Sequence, residues 1–237
     1  MPYSVIVVGA GSKIAQAIID QLVALDDCQQ IIAISRQQNF QHTKITSLHC
    51  QYDESSIEST CKGLDIHFPV ANVFICQGIL HQDALQPERK LESISAENML
   101  KVFTANTVIP SLWLKNLTPH LKSTEPCKVA LFSARIGSIS DNQLGGWYSY
   151  RASKAALNMM VKTFSVELAR RAKNVKLLAF HPGTTDTPLS EPFQRSVPEG
   201  KLFTPEFVAT QLLSLLETLE MDGKACYMDW NHQSINW

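Results

Sequence analysis

Short apolar runs alternate with longer amphipathic stretches along most of the chain. Seven runs rich in β-branched residues read as strands: Val5 to Val8, Gln30 to Ser35, Ile45 to His49, Val70 to Ile75, Lys128 to Phe132, Val175 to Phe180 and Lys224 to Met228. Between them, Ile14 to Leu25, Ala96 to Leu121, Trp147 to Arg171 and Pro205 to Leu219 repeat apolar residues at three- and four-residue spacing and read as helices. Leu157, Met160, Val161, Phe164 and Leu168 form one such stripe. Strands apolar on both faces need helices over each face. The expected class is therefore α/β, a doubly wound Rossmann-like sandwich around a parallel sheet of about seven strands. No linker interrupts the 237 residues, so one domain is expected over residues 1–237.

The rhythm breaks at Thr184 to Thr204. Pro188, Pro192, Pro198 and Gly200 prevent a long helix there, while Leu189, Phe193, Val197 and Phe203 remain available for packing. Such a segment late in the fold suits a substrate lid, or a structural excursion that carries no function.

Composition narrows the partners. The chain is 45% hydrophobic and 18% charged with a formal net charge of −1, so it exerts no broad pull on nucleic acid or anionic membrane. Its six cysteines show no C-x-x-C pair and no metal-ligand spacing, as expected of free thiols in a reducing compartment. The opening Met1-Pro2-Tyr3-Ser4 has no basic stretch, and Val5 to Val8 is too short for a signal or a membrane span. A cytoplasmic protein is expected.

The first strand runs into Gly9-Ala10-Gly11-Ser12-Lys13-Ile14-Ala15, after which a helix begins. Glycine lets backbone amides approach a pyrophosphate at a positive helix N-terminus, which makes Gly9, Gly11, Ser12, Lys13 and Ile14 candidate cofactor contacts. As G-x-G-x-x-G, the loop has Ile14 where a small residue is usual. As G-x-x-x-G-x-G, it has Lys13 and Ala15 at the later glycine positions. The second strand ends at Ser35-Arg36, where an acid would accept from the ribose diol of NAD. An arginine there can instead pair with a 2′-phosphate, with Lys13 as a second charge, so NADP(H) is expected over NAD(H). The alternative is a solvated loop arginine.

Tyr150 and Lys154 stand four apart at the start of a strongly patterned helix and so share a face. An ammonium beside a phenol favours the phenolate and would lower its pKa by roughly one to three units, towards the range useful for proton transfer. Their segment, Gly146-Trp147-Tyr148-Ser149-Tyr150-Arg151-Ala152-Ser153-Lys154-Ala155-Ala156-Leu157-Asn158, resembles the active-site helix of the short-chain dehydrogenase/reductase family. The resemblance extends over essentially the whole chain: the glycine loop, Asn106 in Thr104-Ala105-Asn106-Thr107, the Tyr/Lys pair, and Pro182-Gly183-Thr184-Thr185-Asp186-Thr187. Ser133 to Asn142, Gly145-Gly146-Trp147, Asp229-Trp230 and Trp237 are similar to its C-factor and sniffer-type carbonyl reductase branch.

The resemblance implies hydride transfer from a nicotinamide to a carbonyl carbon, with Tyr150 giving the proton. Lys154 would tune Tyr150 and hold the ribose, and Asn106 would fix a water linking Lys154 to solvent. Gly78, Pro182, Gly183, Thr185 and Thr187 would contact the cofactor. The implied substrate is a small or medium ketone or aldehyde, and the implied assembly a homodimer or homotetramer.

Three positions depart from the family pattern. The family's catalytic serine aligns locally with Ala134, whereas Ser138, 12 residues before Tyr150, stands at about the usual separation and is taken for the role. Ser133 could substitute only by facing the cofactor. Ile75-Cys76-Gln77-Gly78 keeps one residue of Asn-Asn-Ala-Gly, and Cys50 replaces the adenine-contacting Asp. A nucleotide-binding regulatory or signalling protein of C-factor type, with little or no turnover, is the alternative to an enzyme.

Overall fold

A computed structural model describes residues 1–37 and 40–237. Seven parallel strands form the central sheet: β1 (Tyr3–Val8), β2 (Cys28–Ser35), β3 (Ile45–His49), β4 (Val70–Ile75), β5 (Cys127–Phe132), β6 (Val175–His181) and β9 (Cys226–Asp229). Their order is β3-β2-β1-β4-β5-β6-β9, the expected doubly wound architecture. From β1 the chain winds outward through β2 and β3, then returns to lay β4 against the other side of β1. The ends of β1 and β4 therefore flank a switch point, where open α/β sheets bind ligands.

Alternation along each strand divides the interior into two cores. In β1, Val5 and Val7 face α1 (Lys13–Val23) and α6 (Pro205–Thr218). Ile6 and Val8 face the layer of α2 (Glu54–Lys62), α4 (Ile109–Leu121) and α5 (Tyr148–Arg171). All four β1 residues are fully buried, and burying a Val or Ile side chain contributes roughly 1.5–3 kcal/mol.

Three details differ from the pattern-based expectation. Helix α2 was not foreseen, because only Ile57 and Cys61 of its nine residues are buried and its stripe is correspondingly thin. Ala96 to Leu121 is not one continuous α-helix but α3 (Ala96–Phe103), a π-helical turn (Thr104–Val108) and α4. Pro110 has no N–H for the carbonyl four residues back, that of Asn106, while the Ile109 N–H bonds the Thr104 carbonyl. Finally, the segment after β6 contains β7 (Thr184–Thr185) paired with β8 (Leu202–Phe203), and a 3₁₀ turn at Glu191–Ser196 between them.

Helix α5 begins on Trp147, held at φ 50 with no side-chain cap of its own. Its N-terminus is tied down from elsewhere: the buried Glu88 carboxylate accepts from the Ser149 N–H at 3.1 Å and from the Ser149 hydroxyl. A second constraint lies one turn on. A Cβ on Gly137 would stand 2.8 Å from the Lys154 Cβ and 2.9 Å from its carbonyl carbon. We predict that Gly137→Ala, by forcing α5 away from the sheet edge, costs about 1–3 kcal/mol in urea unfolding.

Candidate active site

A cavity of about 730 Å³ opens over the carboxyl ends of β1, β4, β5 and β6. One end is formed by Gly11, Ser12, Lys13, Ile14 and Gln16 at the start of α1. Ser12 caps that helix by accepting from the Ala15 N–H at 3.3 Å. Pro182, Gly183, Thr185 and Thr187 line another wall, and Gly78 and Lys154 sit at the centre. Gly9 stands beside it at the β1 exit, with φ 78.

Lys154 is 3% exposed and donates to the Phe132 carbonyl at 2.8 Å. A Cβ on Gly78 would lie 3.1 Å from its Nζ and 3.2 Å from the Asn106 Oδ1, so a side chain there would press on both. Asn106, fully buried in the π turn, accepts from the Ile79 N–H at 2.7 Å and donates to the Ile79 carbonyl at 2.9 Å and to the Ser153 hydroxyl at 3.1 Å. It thus clamps the loop after β4 to helix α5. The sequence brings these residue types into order along the chain; the π turn aims Asn106 at both partners.

Tyr150 is 8% exposed, and the Lys154 Nζ lies 5.8 Å from its ring centroid. The expected lowering of the phenol by Lys154 is not what this arrangement produces. Burial pushes the Tyr150 hydroxyl above its ordinary range, with nearby Tyr227 adding to the effect. Burial also lowers the Lys154 amine to about 7, so near neutrality much of its charge is lost.

The serine expectation is corrected by the geometry. Ser138 does not line the cavity with Tyr150. It lines a separate depression of about 280 Å³, and its hydroxyl accepts from the Asp141 N–H at 3.3 Å. It lies there because the chain makes a 3₁₀ turn at Arg135–Gly137 and carries Ser138 past the cavity wall. Ser133 and Ala134 both line the cavity. The Ser133 hydroxyl donates to the Asn158 Oδ1 at 2.6 Å, and Ala134 packs in one apolar cluster with Tyr150.

Arg36 lies outside the cavity lining, exposed, with its guanidinium carbon 5.6 Å from the centroid of the Tyr52 ring. Lys13 lines the cavity. Leu80 and His181 also line it, as do Gln77 and Trp147, which entered the sequence reading only within motif segments. Trp147 meets Phe193 at 4.9 Å and Tyr150 at 6.3 Å between ring centroids. Leu189 and Phe193, spaced four apart within the proline-rich segment, do face the cavity. The Gln77 Oε1 is buried with no partner among the described residues. His181 is held neutral chiefly by burial, its pKa lowered to about 4.

A family model for short chain dehydrogenases matches residues 3–197, and the chain belongs to the short-chain dehydrogenase/reductase family of oxidoreductases. It is 27% identical over 241 residues to the benzil reductase ((S)-benzoin forming) of Bacillus cereus, covering 91% of this chain and 94% of that protein. Over 147 residues it is 29% identical to the C-signal of Myxococcus xanthus, covering 62% of this chain and 83% of that one. The structure of an NADPH-bound carbonyl reductase from chicken fatty liver matches all of both chains, with a TM-score of 0.83 and 22% identity. These relatives fall in the C-factor and carbonyl reductase branch anticipated above.

The family uses a nicotinamide cofactor, and the residues present fit one. The capped start of α1 offers free N–H groups and Lys13 to a pyrophosphate, and the space over Gly78 beside Lys154 is open to a ribose.

Two variants separate the residues that the geometry brings together from the one it does not. Asn106→Ala leaves the Ile79 N–H and carbonyl without their buried partner and should cost about 2–4 kcal/mol in urea unfolding. Ser138→Ala should cost no more than about 1 kcal/mol and leave turnover within about twofold.

Proposed function

We propose that this protein reduces a small or medium apolar ketone or aldehyde with NADPH, using Tyr150 as the general acid. The observation that carries this is the meeting in one cavity of Tyr150, Lys154 and the Asn106-clamped loop at Gly78, beside the cationic start of α1. Bound there, the reduced nicotinamide supplies the hydride. The α1 N-terminus with Gly9, Gly11, Ser12, Lys13 and Ile14 holds the pyrophosphate, while Pro182, Gly183, Thr185 and Thr187 hold the nicotinamide end. Arg36 pairs with the 2′-phosphate, an assignment supported by its charge where NAD sites carry an acid and by the NADPH bound in the chicken neighbour.

Burial keeps Tyr150 protonated through the neutral range, as a proton donor must be. As the phenol gives its proton to the carbonyl oxygen, the Lys154 ammonium stabilises the phenolate left behind. Ala134 offers no hydroxyl and the Ser133 hydroxyl is given to Asn158, so the proposed donation to the substrate oxygen runs through Tyr150. Trp147, Phe193, Leu189 and Leu80 exclude water from the reacting carbonyl and favour an apolar substituent. The benzil reductase relative supports carbonyl reduction as the reaction class.

We take the protein to be cytoplasmic, in keeping with six unpaired cysteines. Among the described residues, no helix is long and apolar enough to cross a membrane. A homodimer or homotetramer is supported by the exposed Met159 and Val166 of α5 and by the exposed Leu100 and Val108.

Oxidation of NADPH against a panel of aldehydes, ketones and quinones tests the activity, and Tyr150→Phe should lower kcat/KM by about 10²–10⁴-fold. Tight NADPH binding without turnover of any of them would point instead to the regulatory, C-factor type of role. The rate also has a predicted sign against pH. Lys154 loses its proton as pH rises through about 7, removing support for the forming phenolate. Reduction should therefore be fastest below about 7 and decline above it, and a profile flat from pH 6 to 9 would contradict the role given to the Lys154 charge.

A further inference from the structure

Tyr52 follows β3 with φ 70, a left-handed conformation that is unusual for a bulky aromatic residue. Three contacts account for it. Its hydroxyl donates to the Ile34 carbonyl at 3.1 Å, one edge-on aromatic contact sets it against the fully buried Trp113 at 5.9 Å and 82°, and its ring lies under Arg36. Ile34 lies in β2, two residues before Arg36, so the phenol is bonded to the strand end that carries the arginine. The next residue, Asp53, caps α2 by accepting from the Ser56 N–H at 2.9 Å, which fixes the backbone on the other side.

We propose that Tyr52 is a positioning residue for cofactor selection, holding the Arg36 guanidinium where it meets the 2′-phosphate of NADPH. This rests on the assignment of Arg36 to that phosphate. A free arginine samples many rotamers and loses that freedom on binding. Held over a fixed ring, the guanidinium keeps its in-plane N–H donors available for a phosphate, while the ring faces one side of the cation. Trp113, Tyr52 and Arg36 thus form a line from the buried core to the exposed end of the nucleotide site.

Isothermal titration of the protein with NADPH, NADH, adenosine 2′,5′-bisphosphate and AMP reads this directly, without turnover. Tyr52→Leu should weaken NADPH and the bisphosphate by about five- to tenfold and leave NADH and AMP within about twofold. Tyr52→Phe keeps the ring but loses the bond to Ile34, and should weaken the 2′-phosphate ligands by about two- to threefold. In an Arg36→Leu background, Tyr52→Phe should change none of the four affinities, because the group it positions is gone.

Equal losses for NADPH and NADH, or none, would overturn the proposal, as would an undiminished effect of Tyr52→Phe in the Arg36→Leu background. If Tyr52→Leu does not fold, the Tyr52→Phe cycle decides alone. The Arg36→Leu protein keeps the two levels apart. An unchanged NADPH-to-NADH ratio there removes the phosphate assignment, and this proposal with it. A collapsed ratio together with indifferent Tyr52 variants removes the proposal only.

Discussion

The site depends on the burial of one amine. The Lys154 Nζ is closed in by the Phe132 carbonyl, by Gly78 and by the Asn106 amide. Taking an ammonium out of water is costly, and here the cost appears as a pKa lowered to about 7. Every neighbouring element is shaped to make that burial tolerable. The end of β5 supplies an acceptor, β4 ends in a residue without a side chain, and the π turn supplies an asparagine that holds both sides together.

Two buried side chains hold the amine's helix at its ends of attachment. Glu88 reaches across from the loop after β4 to the first turn of α5, and Asn106 reaches from the π turn to Ser153 in its second. Both come from the segment between β4 and α4, which also supplies Leu80 to the cavity. One cavity wall and helix α5 are therefore tied together through this segment. The opposite wall carries Leu189 and Phe193 between the short pair β7 and β8, with Phe193 against Trp147 and His81.

Two burials give this site its electrostatic character. Tyr150 sits in an apolar cluster with Ala134 among its neighbours, and burial raises the pKa of its phenol. A phenol whose pKa is raised by burial stays protonated but is a weaker acid, and its phenolate is poorly supported when the nearby amine is also neutral. The two burials act in opposite senses, raising the phenol's pKa and lowering the amine's.

Much of this was legible along the chain. The seven strands and the long helices follow from apolar periodicity, because a side chain facing a sheet or a helix layer must be apolar wherever that layer covers it. The order of the glycine loop, Asn106, Tyr150, Lys154 and Pro182-Gly183 revealed the family, since each residue type is demanded by chemistry at its own strand or helix end. Ser138 was misplaced because a count of residues to Tyr150 cannot register a 3₁₀ turn that carries the chain out of the cavity. The cap from Glu88, the pin from Tyr52 to Ile34 and the direction of both pKa shifts were decided by tertiary structure alone. Each depends on a distance between residues far apart in the chain, or on how completely water is excluded, and neither quantity is written in local sequence.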